Sequence, residues 1–334
     1  MDQTFNDFND DLDVQEQPTF EEALAELQED SDSLPSPALI VGLSSLTDEQ
    51  LQQLGPVWEG LGDDYRRILM QMLVDATQAN FELDFRPIGR ATLTSDSPAV
   101  RQAAIEMLWE DESTATLSDL LHIAQKDPVE EVRVEAVRAL GRFVYLGEMG
   151  DLRDEASDNV QSVLLNIIND DTASANSRRV ALESLSNCTR KDLPPLIKDA
   201  YQSKDFDTRR SAIIAMGRSC DSRWESEVIE QLNNSDLDMR LAAIRSAGEL
   251  QLVDAVSSLV ENLTEGEREE QGRVIWSLGE IGGKEAMRIL ETLMEGAEEA
   301  DDADLIERID DAIGNASLAN GDFMMVDFGD FTDD

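Results

Sequence analysis

One pattern constrains this chain more than any other: an arginine, a small residue three positions later and a glycine eight positions after the arginine, returning about every 31 residues. It reads Arg133, Ala136, Gly141, then Arg209, Ala212, Gly217, then Arg240, Ala243, Gly248. In altered form it is Arg101, Ala104, Trp109 and Arg178, Ala181, Ser186. The register continues where the arginine is lost, through Gln271, Val274, Gly279 and through Ile306, Ile309, Gly314. Successive arginines are separated by 32, 45, 31 and 31 residues, so the long step holds an insertion, which we place at residues 145–159. A period in this range belongs to stacked helical units, each too small to bury its own apolar face.

Apolar residues recur at three- and four-residue steps, which splits each unit into two helical runs. The second run, the inner helix, carries them three, four, seven and eight positions after the arginine slot: Ala104, Ile105, Leu108, Trp109 in one unit and Ala136, Val137, Leu140, Gly141 in the next. That is one packed face, whose small members let a partner helix approach closely. The first runs fall at 117–124, 160–168, 193–201, 224–232, 255–263 and 286–294. Each inner helix is announced by a turn residue: Asp96 with Pro98, Asp127 with Pro128, Asp205 and Asp236. Such an Asp caps free backbone amides and Pro fits a first helical turn.

At these residues the chain resembles HEAT repeats of the short kind first described in phycobilin lyases. The resemblance rests on the Asp-Pro turn, on VRVEAVRALG at 132–141 and on the period, and covers roughly residues 63–314. It implies an all-α fold, a right-handed α-α superhelix or HEAT-like solenoid, here with disordered acidic termini. The expected organisation is an acidic disordered segment at 1–33, a helical cap and first helical pair at 36–95, the solenoid at 96–316 and an acidic, Phe-containing tail at 317–334. The cap reads as helices at 35–46, 48–60 and 63–79, with Thr47 and Gln50 at capping-box spacing. HEAT arrays serve as scaffolds, adaptors, transport receptors, lyases and hydroxylases, so the fold alone does not choose an activity.

The formal net charge is −45, and it is unevenly spread. Residues 1–65 contribute −17 without a single Lys or Arg and residues 295–334 contribute −13, leaving −15 for the 229 residues between. Such a balance repels nucleic acid and the anionic membrane surface, both of which are bound through Lys and Arg. It favours a basic protein partner through steering and complementarity. For the body, solubility or adaptation to high salt explains the acidity equally well. The ends hold more than charge: Phe5, Phe8, Phe323, Phe328 and Phe331 are five of the ten Phe, interleaved with acids. Three readings stand side by side: floppy tails, tails folded back onto the solenoid, and linear motifs that dock an aromatic ring into a basic-rimmed pocket.

Catalytic signals are sparse. The single His, His122, lies among Leu120, Leu121 and Ile123 and reads as structural; one His cannot assemble a His-based metal site or the iron ligands of HEAT-repeat hydroxylases. Cys188 and Cys220 form no C-x-x-C and read as ordinary buried thiols. No catalytic residue, metal or cofactor is expected. The one enzymatic alternative is a subunit of a lyase-type enzyme like the phycobilin lyases, which the resemblance alone suggests.

A partner is expected on the concave face lined by inner helices, where positions two, five, six and nine after the arginine slot are left free by the apolar pattern. Arginine and tryptophan are strong interface anchors, so Arg138, Arg142, Arg218, Arg245 and Trp276 are the candidate partner-binding residues. The competing reading is that the arginines pair with the many acids and Trp276 packs on a neighbouring helix. The slot arginines themselves are expected to form a ladder between units. The first 33 residues carry 12 acids and no basic residue, and no apolar run approaches the length of a bilayer span, so a cytoplasmic location is expected. The function read from the sequence is a non-catalytic scaffold or adaptor for a plausibly basic protein, with the oligomeric state open.

Overall fold

The computed structural model describes residues 18–29, 33–265 and 268–319, and every regular element among them is helical. The chain forms two compact units, Met1–Ile167 and Ile168–Asp334. The first contains α1 (Phe20–Glu29), α2 (Pro37–Gly42), α3 (Asp48–Gly60), α4 (Asp63–Ala79), α5 (Arg86–Thr92), α6 (Pro98–Met107), α7 (Thr114–Lys126), α8 (Glu130–Met149) and α9 (Asp154–Ile168). In it α4, α6 and α8 pack in succession as inner helices, with α5 against α6 and α7 against α8. The second contains α10 (Ala175–Leu185), α11 (Leu193–Tyr201), α12 (Phe206–Arg218), α13 (Glu225–Gln231), α14 (Leu237–Glu249), α15 (Val256–Glu265), α16 (Arg268–Ile281), α17 (Gly283–Glu299) and α18 (Ala303–Ala319). Its inner helices are α10, α12, α14, α16 and α18, while α11, α13, α15 and α17 each back the inner helix that follows. The paired-helix repeat read from the sequence is thus the architecture of each unit.

The glycine column exists because consecutive inner helices nearly touch. A Cβ at Gly217 would lie 2.7 Å from Ser246 Cα, and one at Gly248 would lie 3.0 Å from Ser277 Cα. The same serines bind across the seam: Ser246 Oγ donates to the Ile213 carbonyl at 2.9 Å and Ser277 Oγ to the Ile244 carbonyl at 2.8 Å. An inner helix is therefore buried on two sides, against its own outer helix and against the neighbouring inner helices. This corrects the free face expected from the sequence, because the sixth positions Met107, Ala139, Ser184, Ala215, Ser246 and Ser277 are all buried, as are Ala103, Val180, Ser211 and Ala242 among the second positions. The fifth and ninth positions are at least partly open in most units, and so are Arg273 and Arg308 among the second positions. Gly314 also departs from the column's logic: a Cβ there would meet nothing within 4 Å, since no described inner helix follows α18.

The slot arginines fasten turns. Arg101, Arg133, Arg209 and Arg240 each send Nη1 back to a carbonyl of their own preceding turn, namely Ser95 at 2.7 Å, Asp127 at 2.7 Å, Ser203 at 3.0 Å and Asn234 at 2.9 Å. The expected ladder is realised at two of them. Arg101 grips Asp127 with two 2.8 Å bonds, and Arg240 grips the buried Glu270 at 2.9 and 3.2 Å. Elsewhere the next residue along reaches over instead, Arg179 to Asp205 at 3.4 Å and Arg210 to Asp238 at 3.1 Å. Asp205 and Asp236 cap α12 and α14 as expected, and Thr47 with Gln50 forms a capping box on α3. Asp127 serves Arg101 and the Val129 amide rather than capping a helix.

Two local expectations are corrected, and the insertion at 145–159 takes helical form in part. Residues 20–29, expected to be disordered, form α1, because Phe20, Ala23 and Leu27 share one buried face and Thr19 with Glu22 caps its start. Glu26 then accepts the Ser36 amide and hydroxyl at 3.0 and 2.7 Å, tying α1 to α2. The insertion after α8 continues that helix to Met149, where Gly150 at φ 84° ends it in a left-handed turn before α9. Trp109, expected on the packed face beside Leu108, is exposed because α6 ends at Met107, while Leu108 is buried as expected. The tail residues Phe5, Phe8, Phe323, Phe328 and Phe331 lie outside the described residues.

In unit 1 the short link between α6 and α7 is pinned through Asp111. Its buried carboxylate accepts from Arg90 Nε at 2.8 Å, Thr116 Oγ1 at 2.7 Å and the Ser113 amide at 3.0 Å. Burial works to raise its pKa, but the hydrogen bonds from Thr116, Ser113 and Arg90 outweigh it and hold the group at about 2.

Two expectations follow from this packing. Gly217→Ala should lower the urea-unfolding free energy by about 2 kcal/mol through overpacking, whereas Gly314→Ala should raise it by roughly 0.5–1 kcal/mol because Ala is the better helix former; equal effects would refute the close-approach account. Asp111→Asn should cost about 2 kcal/mol at pH 7. Because the folded pKa is depressed, that difference is fully present above the ordinary carboxylate pKa and disappears as pH falls from about 4 to about 2, which unfolding curves of both proteins across that range would reveal.

Candidate functional site

The residues left open by inner-helix packing collect in two places, one in each unit. In unit 1 a groove of about 950 Å³ runs over α4, α6 and α8, walled on one side by the link from Phe81 to Arg86. Its α4 edge includes Arg67 and Gln71, its floor Ala103 and Glu106, and its α8 edge Glu135 and Arg138. Two aromatic rings stand in it with much of their surface in water: Phe81 is 87% exposed and Trp109 is 57% exposed. The groove's cations are already engaged. Arg86 makes a bidentate pair with Asp84 at 2.8 and 2.7 Å, Arg67 stands 3.9 Å from Asp64, and Arg138 stands 3.5 Å from Glu135. Glu106 and Glu110, in contrast, form no ion pair among the described residues. Partial burial, with Glu135 and Asp75 nearby, pushes the Glu106 carboxyl up from its ordinary value.

Arg142 extends this surface along α8. Its guanidinium lies 4.9 Å from the Phe143 ring and 5.8 Å from the Trp109 ring, and its Nη2 donates to the Asp111 carbonyl at 2.5 Å. Desolvation lowers its pKa against the pull of Glu112, Asp111 and Glu110. The insertion adds Tyr145 and Met149, both exposed, three and seven residues beyond Arg142 and so on the same side of the helix.

In unit 2 a smaller pocket of about 460 Å³ lies over α14, α16 and α18, lined by Arg245, Glu269, Gly272, Arg273, Trp276 and Arg308. Trp276 is 36% exposed and receives Arg245 at 5.5 Å from its ring. Arg245 also pairs with Glu249 at 2.9 Å, and Arg273 with Glu269 at 3.1 Å. Arg308 is exposed and forms no ion pair among the described residues.

The five candidates of the sequence reading are therefore divided. Arg138 lines the unit 1 groove, Arg142 stands beside it against the Trp109 ring, and Arg245 and Trp276 line the unit 2 pocket. Arg218 belongs to neither: its Nη1 donates to the Glu183 carbonyl at 3.1 Å and holds α12 to α10. Phe81, Trp109, Glu106 and Glu110 were missed for the groove, as were Arg273 and Arg308 for the pocket. Glu106 and Glu110 stood in the fifth and ninth columns and Arg273 and Arg308 in the second, and all were legible there; Phe81 carried no repeat signal. His122 is exposed on α7, not packed among its leucines. Cys188 is buried, but Cys220 is exposed at φ 48°, contrary to the expectation of two buried thiols. Among the described residues no group of three or more His, Cys, Asp or Glu could hold a metal ion, and no helix is long and apolar enough to cross a membrane.

Comparison with known proteins agrees with the repeat. No curated protein matches the chain. Solved structures that resemble it include the complex of CpcE and CpcF of phycocyanin lyase from Nostoc sp. PCC7120, at 17% identity and a TM-score of 0.45, covering 69% of this chain and 94% of that one. YibA of E. coli follows at 16% identity and a TM-score of 0.39, covering 82% and 98%, and human deoxyhypusine hydroxylase in complex with glycerol at 16% and 0.34, covering 78% and 96%. The family model for HEAT repeats matches residues 87–186 and 193–272, more than half of the sequence. With its paired helices, its glycine seam and this match, the chain belongs to the HEAT-repeat family.

Proposed function

We propose that this protein is a non-catalytic interaction scaffold that holds a basic segment of a partner protein in the unit 1 groove. The observation that carries the reading is the meeting of exposed aromatic rings, Trp109 and Phe81, with two carboxylates, Glu106 and Glu110, that form no ion pair among the described residues. A lysine or arginine side chain laid there would face carboxylates on one side and an aromatic ring on the other, which is the environment cations prefer. Exposed Trp in a groove is also the residue type that carries interface energy. The raised pKa of Glu106 fits the same picture, since a carboxyl pushed up by partial burial, and then by Glu135 and Asp75, is relieved by an incoming cation.

A fluorescein-labelled peptide of alternating Arg and Ala, titrated into the full chain, tests the proposal. Glu106→Lys and Trp109→Ala should each weaken binding at least about fivefold, roughly the worth of one lost charge-assisted or cation-π contact. Glu230→Lys, an equal change of charge on an exposed residue of α13, should leave it within about twofold. Binding should weaken as pH falls through the raised Glu106 value, and less so in Glu106→Gln. Equal losses for Glu106→Lys and Glu230→Lys would mean only diffuse attraction to an acidic protein, and the groove would not be the site.

A further inference from the structure

The unit 2 pocket has the opposite local chemistry in a protein of −45 net charge, and the sequence itself contains a segment made to fit it. We propose that residues 320–334 fold back within the same molecule and dock on this pocket, with Phe328 or Phe331 against Trp276 and the neighbouring aspartates on Arg245, Arg273 and Arg308. Three observations carry this, and none depends on the unit 1 groove.

First, the charges match. Residues 320–334 contain five Asp and no Lys or Arg, while the pocket brings three arginines together with one lining carboxylate, Glu269. Arg245 and Arg273 are each shared with a single glutamate, and Arg308 has no acid of its own among the described residues. Arg308 Nη1 would meet a Cβ built on Gly272 at 3.1 Å, so the guanidinium lies over the bare backbone of α16 at the pocket wall.

Second, the pattern matches. Each Phe of the segment directly follows an Asp: Asp322-Phe323, Asp327-Phe328 and Asp330-Phe331. One such pair offers a ring and a carboxylate side by side, and the pocket offers Trp276 beside guanidinium groups. Aromatic stacking and charge-assisted bonds then form together.

Third, the reach matches. Arg308 lies 11 residues before the end of α18, about 17 Å along its axis. At roughly 3.3 Å per residue, Phe323 reaches about 13 Å from Ala319 and falls short, whereas Phe328 and Phe331 reach about 30 and 40 Å. A tether this short keeps the segment at an effective concentration of roughly millimolar, so a contact too weak to hold two separate molecules is occupied within one.

Hydrogen–deuterium exchange of residues 320–334 in the full chain, set against a synthetic peptide of the same sequence, tests the proposal. Amides around Phe328 and Phe331 should exchange at least about threefold more slowly in the protein, equally at about 1 and about 50 μM. The slowing should vanish in Phe328→Ser/Phe331→Ser and in Arg308→Glu, and survive in Phe323→Ser. Arg308 is exposed, and circular dichroism verifies that each variant keeps its helical fold. Exchange at the free-peptide rate overturns the proposal, as does slowing that persists in Arg308→Glu. Slowing that grows with protein concentration also overturns it, since a second copy would then be the occupant.

Discussion

Everything in this protein follows from how closely one inner helix lies against the next. At Gly217 and Gly248 the neighbouring backbone takes the space a methyl group would need, and a serine on the facing helix bonds to a carbonyl across the gap. Such proximity allows only small residues at the seam and gives extensive van der Waals contact in return. It also decides which positions are left for anything else. Once the sixth column and most of the second are consumed by the seam, an inner helix offers a partner chiefly its fifth and ninth columns, one helical turn apart, with Arg273 and Arg308 of the second column open as well. The narrow surface that results is where Glu106, Glu110, Arg138, Arg142, Arg245 and Trp276 stand.

The second constraint is the scarcity of cations. With 27 Lys and Arg against 72 Asp and Glu, an arginine placed on a turn is committed to structure. Arg101, buried with Asp127, joins successive turns, and breaking a buried pair of this kind is costly because the surviving charge is stranded. Carboxylates, being in excess, are left over, and the groove of unit 1 is lined with such leftovers beside exposed rings. In unit 2 the balance is reversed locally, where three arginines and one tryptophan line the same pocket. A protein that must stay anionic can still present two different chemistries when a few guanidinium groups are gathered in one pocket.

Much of this was readable in advance, and the misses have physical reasons. Helix pairing, register, the outer runs and several caps are local properties, written in apolar spacing and in Asp, Ser and Pro at turns. The helix at Phe20–Glu29 was hidden because its net charge drew attention from the spacing of Phe20, Ala23 and Leu27. Trp109 was misplaced because repeat columns assume every inner helix has the same length, and α6 stops two residues short of that column. Phe81 lies in a link between repeats, where no periodicity exists to interpret it.

The sequence by itself determined the repeat, the helical class, the acidic character and the segregation of Phe into the ends, because each is a matter of spacing or composition along one dimension. Only the tertiary structure decided which exposed residues meet. Arg245 and Arg273 come together with Arg308 because side chains about 30 residues apart are carried onto neighbouring inner helices, and Glu106 and Trp109 meet Phe81 because the link after α4 walls the same groove. That juxtaposition depends on where each helix ends and how closely the next one packs, which are set by contacts in three dimensions and not by the order of residues.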